Sequence, residues 1–277
     1  MPLRIVQSKH NSRLKELRAA LARPGSGNRG LAGIEGPNLL AEAMRSGLEI
    51  DAVFVAQGSE RLLQGLSIPS EVEVLAVPQA ILTSALATET PQPIAALVKP
   101  PKWNWEHLVG LRRDSAALIL VLAGLQDPGN LGTILRSAEA FGATGAVALS
   151  GTVSAWNPKA VRASAGSVFR MPLIVATAEE AIPRLHGMGA RIYATLAGPA
   201  QQAHLADLAR PAALIVGNEG NGVPAELVAR ADATITILCP GPVESLNAAV
   251  AASVLLYEAA LQRVAQPKVQ RAVRTLR

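Results

Sequence analysis

Cysteine is nearly absent from this sequence. Cys239 is the only one in 277 residues, so no disulfide can close within the chain. The four histidines (His10, His107, His186, His204) are scattered without ligand spacing, and a zinc site does not fit that inventory. Aromatic residues make up 3% and charged residues 17%, while 49% are hydrophobic, which favours a packed core over wholesale disorder. No apolar run in the sequence approaches the length of a membrane span, and the opening residues lack the apolar segment of a secretory signal. A cytoplasmic protein with no metal and no membrane anchor is the expectation. The length leaves room for one large domain or two of ordinary size.

Charge is present but uneven. The net charge is +5, and residues 1–30 hold seven basic side chains against one acid, Glu16. Residues 266–277 add Lys268, Arg271, Arg274 and Arg277 with no acid, which leaves 15 basic and 20 acidic residues in the body. Basic ends on an acidic body point to a polyanion partner, with nucleic acid ahead of plain solubilising termini. Arg13, Lys15, Arg18 and Arg29 are the candidate phosphate-binding side chains.

Along the chain, Ser8 to Ala22 reads as a helix with Leu14, Leu17 and Leu21 on one face. Short strand-like runs follow (Leu31 to Ile34, Ile50 to Ala56, Val72 to Val77, Ile94 to Val98), separated by helical stretches beginning near Pro37, Ser59 and Pro78. This alternation predicts a small α/β domain over residues 1–98. Pro100-Pro101 opens a stiff linker over 99–115, in which Trp103 and Trp105 are expected to pack onto a domain rather than to stack on bases. From Ala116 strands are expected near 116–123, 146–149, 171–175, 190–196, 212–216 and 233–238, with helices between, making a second α/β domain over 116–265. A basic tail over 266–277 completes the division.

Three stretches carry possible chemistry. The first runs from Leu125 to Phe141. Asp127 and Pro128 make a helix start, an N-cap side chain followed by a ring suited to the first helical position. At about 100° per residue, Leu131, Ile134, Leu135, Ala138 and Phe141 share one arc, and Asn130, Thr133, Arg136 and Ser137 another. The second is Gly217-Asn-Glu-Gly-Asn-Gly222, after the strand at 212–216. Its glycines let backbone N–H groups approach a ligand. Its spacing is neither the dinucleotide fingerprint nor a P-loop. Glu219 would repel phosphates, so a ligand with a cationic or hydroxyl-bearing part is indicated. The third is Ile235 to Glu258, where a Pro-Gly-Pro turn leads into a long helix with Ser245 expected at its N-cap. Leu246, Ala249, Val250, Val254, Tyr257 and Leu261 are expected to form that helix's apolar stripe.

Together, and in this order, the three stretches resemble the SpoU (TrmH-like) branch of the SPOUT RNA methyltransferases. The resemblance covers nearly all of residues 116–262 through Asn130 to Arg136, Gly217 to Gly222, and Ile237 to Asn247 ending in Glu-Ser-Leu-Asn. Residues 1–98 are similar, more loosely, to the α/β substrate-binding domain that often precedes that core, with Ser8 to Asn11 and Ile34-Glu-Gly36 in matching places. One departure is visible: the third motif commonly reads Ile-Pro-Met, and this chain has Ile237-Leu238-Cys239.

The resemblance implies a parallel sheet with a C-terminal trefoil knot, where bottom-up rules give an open doubly wound sheet. It implies a homodimer with the active site near the subunit interface, S-adenosylmethionine as cofactor, and a 2′-O-methylated ribose in RNA as product, with ribosomal RNA ahead of transfer RNA. By the same resemblance Asn130, Arg136, Glu219, Ser245 and Asn247 line the catalytic site. Gly217, Asn218, Gly220, Ile237 and Leu246 hold the cofactor. The alternatives are a cofactor-binding RNA or ribosome-assembly protein without turnover, and a Rossmann-type small-molecule enzyme, whose glycine spacing is missing.

Overall fold

The computed structural model describes residues 3–86, 88–109 and 116–265. Its first half contains β1 (Leu3–Ile5), α1 (Ser12–Ala22), β2 (Ala32–Glu35), α2 (Pro37–Arg45), β3 (Ile50–Ala56), β4 (Glu73–Val77), α3 (Gln79–Thr83) and β5 (Ile94–Val98). These strands form one sheet in the order β1-β4-β3-β5-β2, in which β1, β4 and β3 run parallel and β5 is antiparallel to both its neighbours. Leu14, Leu17 and Leu21 do face inward, and α1 covers one side of the sheet through them. The helix expected near Ser59 is only a 3-10 turn at Glu60–Leu63. Strand β1 escaped the sequence reading, because its three residues are all exposed and carry no buried periodicity.

The second half contains β6 (Leu118–Ala123), α4 (Pro128–Ala140), β7 (Gly145–Leu149), α5 (Pro158–Ser164), β8 (Leu173–Ala176), α6 (Ala178–Gly187), β9 (Arg191–Thr195), β10 (Gln201–Gln202), β11 (Ala212–Gly217), α7 (Ala225–Val228), β12 (Ala233–Thr236) and α8 (Ala248–Ala265). Its sheet is ordered β10-β12-β9-β11-β6-β7-β8, and every pairing is parallel. An all-parallel sheet needs cover on both faces, which is why β6 reads as an unbroken apolar run. Leu118, Leu120 and Leu122 share a core with α4 and α8, whereas Ile119, Val121 and Ala123 share another with α6 and α7. The first of these cores continues into the N-terminal half through Ile34, Leu40 and Val53.

Helix α8 differs from expectation on two points. Its N-cap is Asn247, not Ser245: the Asn247 Oδ1 accepts from the backbone of Ala249 at 2.9 Å and of Val250 at 3.3 Å. Its buried face is Ala248, Ala249, Ala252, Leu255, Leu256 and Ala259, so Val250, Val254, Tyr257 and Leu261 point outward. Of the expected stripe Ala249 is buried, and the larger residues drew it to the wrong face because the buried side is built mainly of alanines, with Leu255 and Leu256. By length and composition alone α8 is apolar enough to cross a membrane, with mean hydropathy 1.3 over 18 residues, yet a third of it is buried in this fold.

Trp103 and Trp105 pack against the second half, as their place in a proline-led linker indicates. Trp105 donates its indole N–H to Glu180 at 3.1 Å, under the Arg184 guanidinium.

Candidate functional site

In a parallel sheet the strand order changes direction at one point, and ligands gather beyond the carboxyl ends of the strands there. Here that point lies between β6 and β11, since the order runs outward from β6 to β7 and β8 on one side and through β11 to β9 and β12 on the other. A cavity of about 390 Å³ opens beyond the ends of β9, β11 and β12, within the range of a small-molecule site. Its wall combines the Gly217 to Val223 loop, the ends of β9 and β12, and the segment from Glu244 to Leu246.

The Gly-rich loop is folded back on itself. Asn218 and Gly222 exchange backbone hydrogen bonds at 3.1 and 3.2 Å, and the Asn218 side chain accepts from the backbone of Gly220 and Asn221 at 3.0 and 2.7 Å. A Cβ at Gly217 would lie 2.0 Å from the carbonyl carbon of Gly222, so only glycine permits this closure. The loop thus holds Glu219 exposed at its tip.

Helix α4 begins as the sequence indicates. Asp127 accepts from the backbone of Asn130 at 2.8 Å, with Pro128 in the first turn. Lys159 of α5 contacts the same carboxylate at 2.7 Å, and it is foremost this cation that holds the Asp127 carboxyl below its ordinary value. The capped turn aims the Asn130 side chain across the crevice. Its Nδ2 donates to Glu219 Oε1 at 2.5 Å, and its Oδ1 accepts from Asn247 Nδ2 at 3.1 Å. One amide therefore joins all three motifs, which lie 89 and 117 residues from it in sequence.

Of the residues singled out from sequence, Gly217, Asn218, Gly220, Ile237 and Leu246 line the cavity, as do Glu219 and Ser245. Asn130 and Asn247 reach its edge through Glu219. Arg136 does not line it. It is exposed on α4, six residues beyond Asn130, which is about 9 Å of helix rise, and it makes no ion pair among the described residues. An apolar groove lined by Thr133, Phe141, Val250, Val254 and Tyr257 runs along the neighbouring faces of α4 and α8. The sequence reading missed Thr195, Leu196 and Ala197 on the cavity wall, and it noted Cys239 and Glu244 only as members of the third motif. The signal for Thr195 to Ala197 was available in principle, since they lie at and just beyond the end of a parallel strand adjacent to β11.

The N-terminal basic cluster is divided in two. Arg13 pairs with Glu16, Asp51 and Glu73 at 2.5, 2.7 and 3.0 Å, and Arg29 reaches Glu16 and Asp51. Lys15 is exposed, and Arg18 donates to the backbone of Lys9 at 3.0 Å. The basic tail 266–277 lies outside the described residues. No cluster of three His, Cys, Asp or Glu side chains suited to a metal occurs among the described residues.

Comparison with known proteins agrees with this geometry. Residues 117–257 match the SpoU rRNA Methylase family and residues 11–96 match the MRM3-like substrate binding domain. The chain is 33% identical over 228 residues to the 23S rRNA (guanosine(2553)-2′-O)-methyltransferase RlmP of Bacillus subtilis, covering 81% of this chain and 86% of that protein. Among solved structures it resembles an AdoMet-bound rRNA methyltransferase from Sinorhizobium meliloti (TM-score 0.80, 27% identity, 96% of this chain and 99% of that one). It also resembles the SpoU methyltransferase AviRb from Streptomyces viridochromogenes in complex with AdoMet (TM-score 0.77, 26% identity, 93% and 100%).

Proposed function

The chain belongs to the SpoU rRNA Methylase family, and from that premise we propose that it transfers a methyl group from S-adenosylmethionine to a ribose 2′-hydroxyl of ribosomal RNA. The observation that carries this reading is the hydrogen-bonded run Glu219–Asn130–Asn247, which ties three separate motifs together at the mouth of one cavity. The cavity suits the cofactor: a glycine-rich loop without bulky side chains lets a ligand approach closely, Ile237 and Leu246 give an apolar surface, and Glu219 and Glu244 favour a cationic ligand.

S-adenosylmethionine supplies a methyl group on a sulfonium. Its transfer to the 2′-oxygen would leave a neutral thioether and would need the hydroxyl proton to pass to another residue or to a phosphate oxygen of the RNA. Proximity and in-line orientation supply much of the acceleration in such a step. Arg136 acts as a fixed cation, stabilising negative charge on the 2′-oxygen and gripping the adjacent phosphate. A guanidinium with a pKa above about 12 does not serve as a base. Glu219, held by Asn130, orients a ribose hydroxyl. Ser245, next to Glu244 on the cavity wall, is a further hydrogen-bonding group for substrate or cofactor.

The active unit is a homodimer. Val250, Val254, Tyr257 and Leu261 are 48, 41, 52 and 49% exposed on one face of α8, and a second copy is the occupant that fits a stripe lying beside Arg136. The trefoil knot belongs to the same reading: the Gly217 loop and the Ile235 to Leu246 segment line one cavity, and α8 returns across β11. Residues 1–98 read the RNA and 116–265 carry out the transfer.

The test is transfer of labelled methyl from S-adenosylmethionine to ribosomal RNA, offered free and as subunits, followed by mapping of 2′-O-methyl positions. A single methylated ribose is the expected result. Cofactor binding without transfer to any RNA would leave the assembly-factor reading standing instead.

A further inference from the structure

We propose that Arg170 is a positioning residue that fixes the RNA-reading half to α4 and thereby sets where a ribose is delivered relative to Arg136. The inference rests on the roles given above to Arg136 and to residues 1–98, and it concerns a residue that belongs to none of the three motifs.

Arg170 follows the short turn after α5 and is partly buried, with its side chain 35% exposed. Its Nε and Nη2 donate to the two oxygens of Glu139 at 2.5 and 2.9 Å, a bidentate fork. Its Nη1 donates to Glu42 and, at 2.8 Å, to Ser46 Oγ. Glu139 lies on α4, three residues beyond Arg136. Glu42 lies on α2, and Ser46 is the residue that ends it. One planar cation therefore connects the helix carrying Arg136 with a helix of the other half.

Among the described residues, no other side-chain hydrogen bond or ion pair joins residues 3–98 to residues 118–265. The apolar core shared by the two halves is continuous, but apolar contact has no direction and tolerates sliding. The Arg170 fork has direction, since two parallel N–H bonds to one carboxylate fix both angle and distance. The close approach around it agrees: Gly166 has φ +91°, and a Cβ there would lie 2.2 Å from Cγ of Glu42. The local electrostatics are consistent, with Arg170, chiefly through its hydrogen bonds, holding the Glu139 carboxyl below its ordinary value. Partly exposed ion pairs add little net stability, so the consequence of this node is geometric.

The test compares Arg170→Ala and Glu42→Gln with wild type in full-length protein. Glu42→Gln keeps the side-chain shape and removes only the charge on the N-terminal side, so it stays informative even where Arg170→Ala folds poorly. Both variants are expected to lose kcat on the order of a hundredfold, the scale of an error of about 1 Å in placement, while KM for RNA and affinity for S-adenosylmethionine stay at wild-type values. Methylation is expected to spread to neighbouring riboses, which a merely structural defect would not cause. Wild-type kcat at the wild-type nucleotide in both variants overturns the proposal. Small-angle X-ray scattering without RNA gives a readout independent of activity: Arg170→Ala should populate more extended forms than wild type. Should wild type methylate no RNA, the functional reading fails and the scattering alone decides, with identical profiles overturning the positioning role.

Discussion

Asn130 is a small uncharged side chain whose two ends are both committed, one to Glu219 and one to Asn247. Asn130→Ala removes both bonds while leaving the Asp127 cap in place. Turnover should fall about a hundredfold as Glu219 loses its orientation, with little change in melting temperature; unchanged single-turnover rates would show that the network is decorative. Arg136 makes a different prediction. Arg136→Lys should lose nearly as much activity as Arg136→Ala, with normal cofactor binding by calorimetry, because an ammonium does not replace a planar multi-donor cation. Arg13 and Lys15 separate in the same way, although the sequence grouped them. Lys15→Ala should reduce the slope of log affinity against log salt by about 1, whereas Arg13→Ala, which removes the one cation shared by Glu16, Asp51 and Glu73, should mainly lower the melting temperature.

At the scale of elements, α8 joins the two ends of the site. Its N-cap is Asn247, its inner face packs mainly by alanines, and its last turn is fastened by Arg263. That guanidinium donates to the carbonyls of Leu208 at 2.9 Å, Ala117 at 3.1 Å, Arg210 at 2.8 Å, and to Ala116. Burial pushes its pKa down, but four carbonyl acceptors keep the cation in place. Arg263→Met leaves those acceptors without a donor and should cost about 2 kcal/mol or more, seen as a lower midpoint in denaturant. The outer face predicts assembly. Tyr257→Arg places a charge in the middle of the exposed stripe and should shift the protein from dimer to monomer in sedimentation; an unchanged dimer would place the interface elsewhere.

For the whole molecule, acid is the informative variable. Glu139 and Glu42 are held below their ordinary value of 4.5, Glu139 foremost by Arg170 and Glu42 foremost by Arg45 with Arg170 adding to it. Asp127 is likewise lowered, foremost by Lys159. Carboxyls depressed in the folded state contribute stability that is fully present above their unfolded pKa and is lost as pH falls through the folded one. The melting temperature should therefore be nearly level from pH 7 to about 5 and fall below about 4.5. Arg170→Ala should flatten that acid limb, since it removes the cation that both Glu42 and Glu139 share. An acid limb identical to wild type would mean that the node contributes nothing to folding.

The alternating apolar runs determined two α/β halves, because strand and helix periods are local properties of the chain. Asp127-Pro128 fixed the start of α4 for the same reason, since a cap acts within one turn. The three motifs were also legible, through their resemblance to a known family. Other features required distant residues to meet. Whether Asn247 or Ser245 caps α8 depends on how the Pro-Gly-Pro turn approaches the helix. Which face of α8 is buried depends on how closely it packs, and close packing favours Ala over the larger Val and Tyr that dominate a hydrophobic pattern. Arg13 looked like a phosphate ligand until Asp51 and Glu73 were brought beside it from other strands. Arg170 carried no local signal at all, because its meaning lies in two carboxylates 31 and 128 residues away, and only the packed fold places both within reach of one guanidinium.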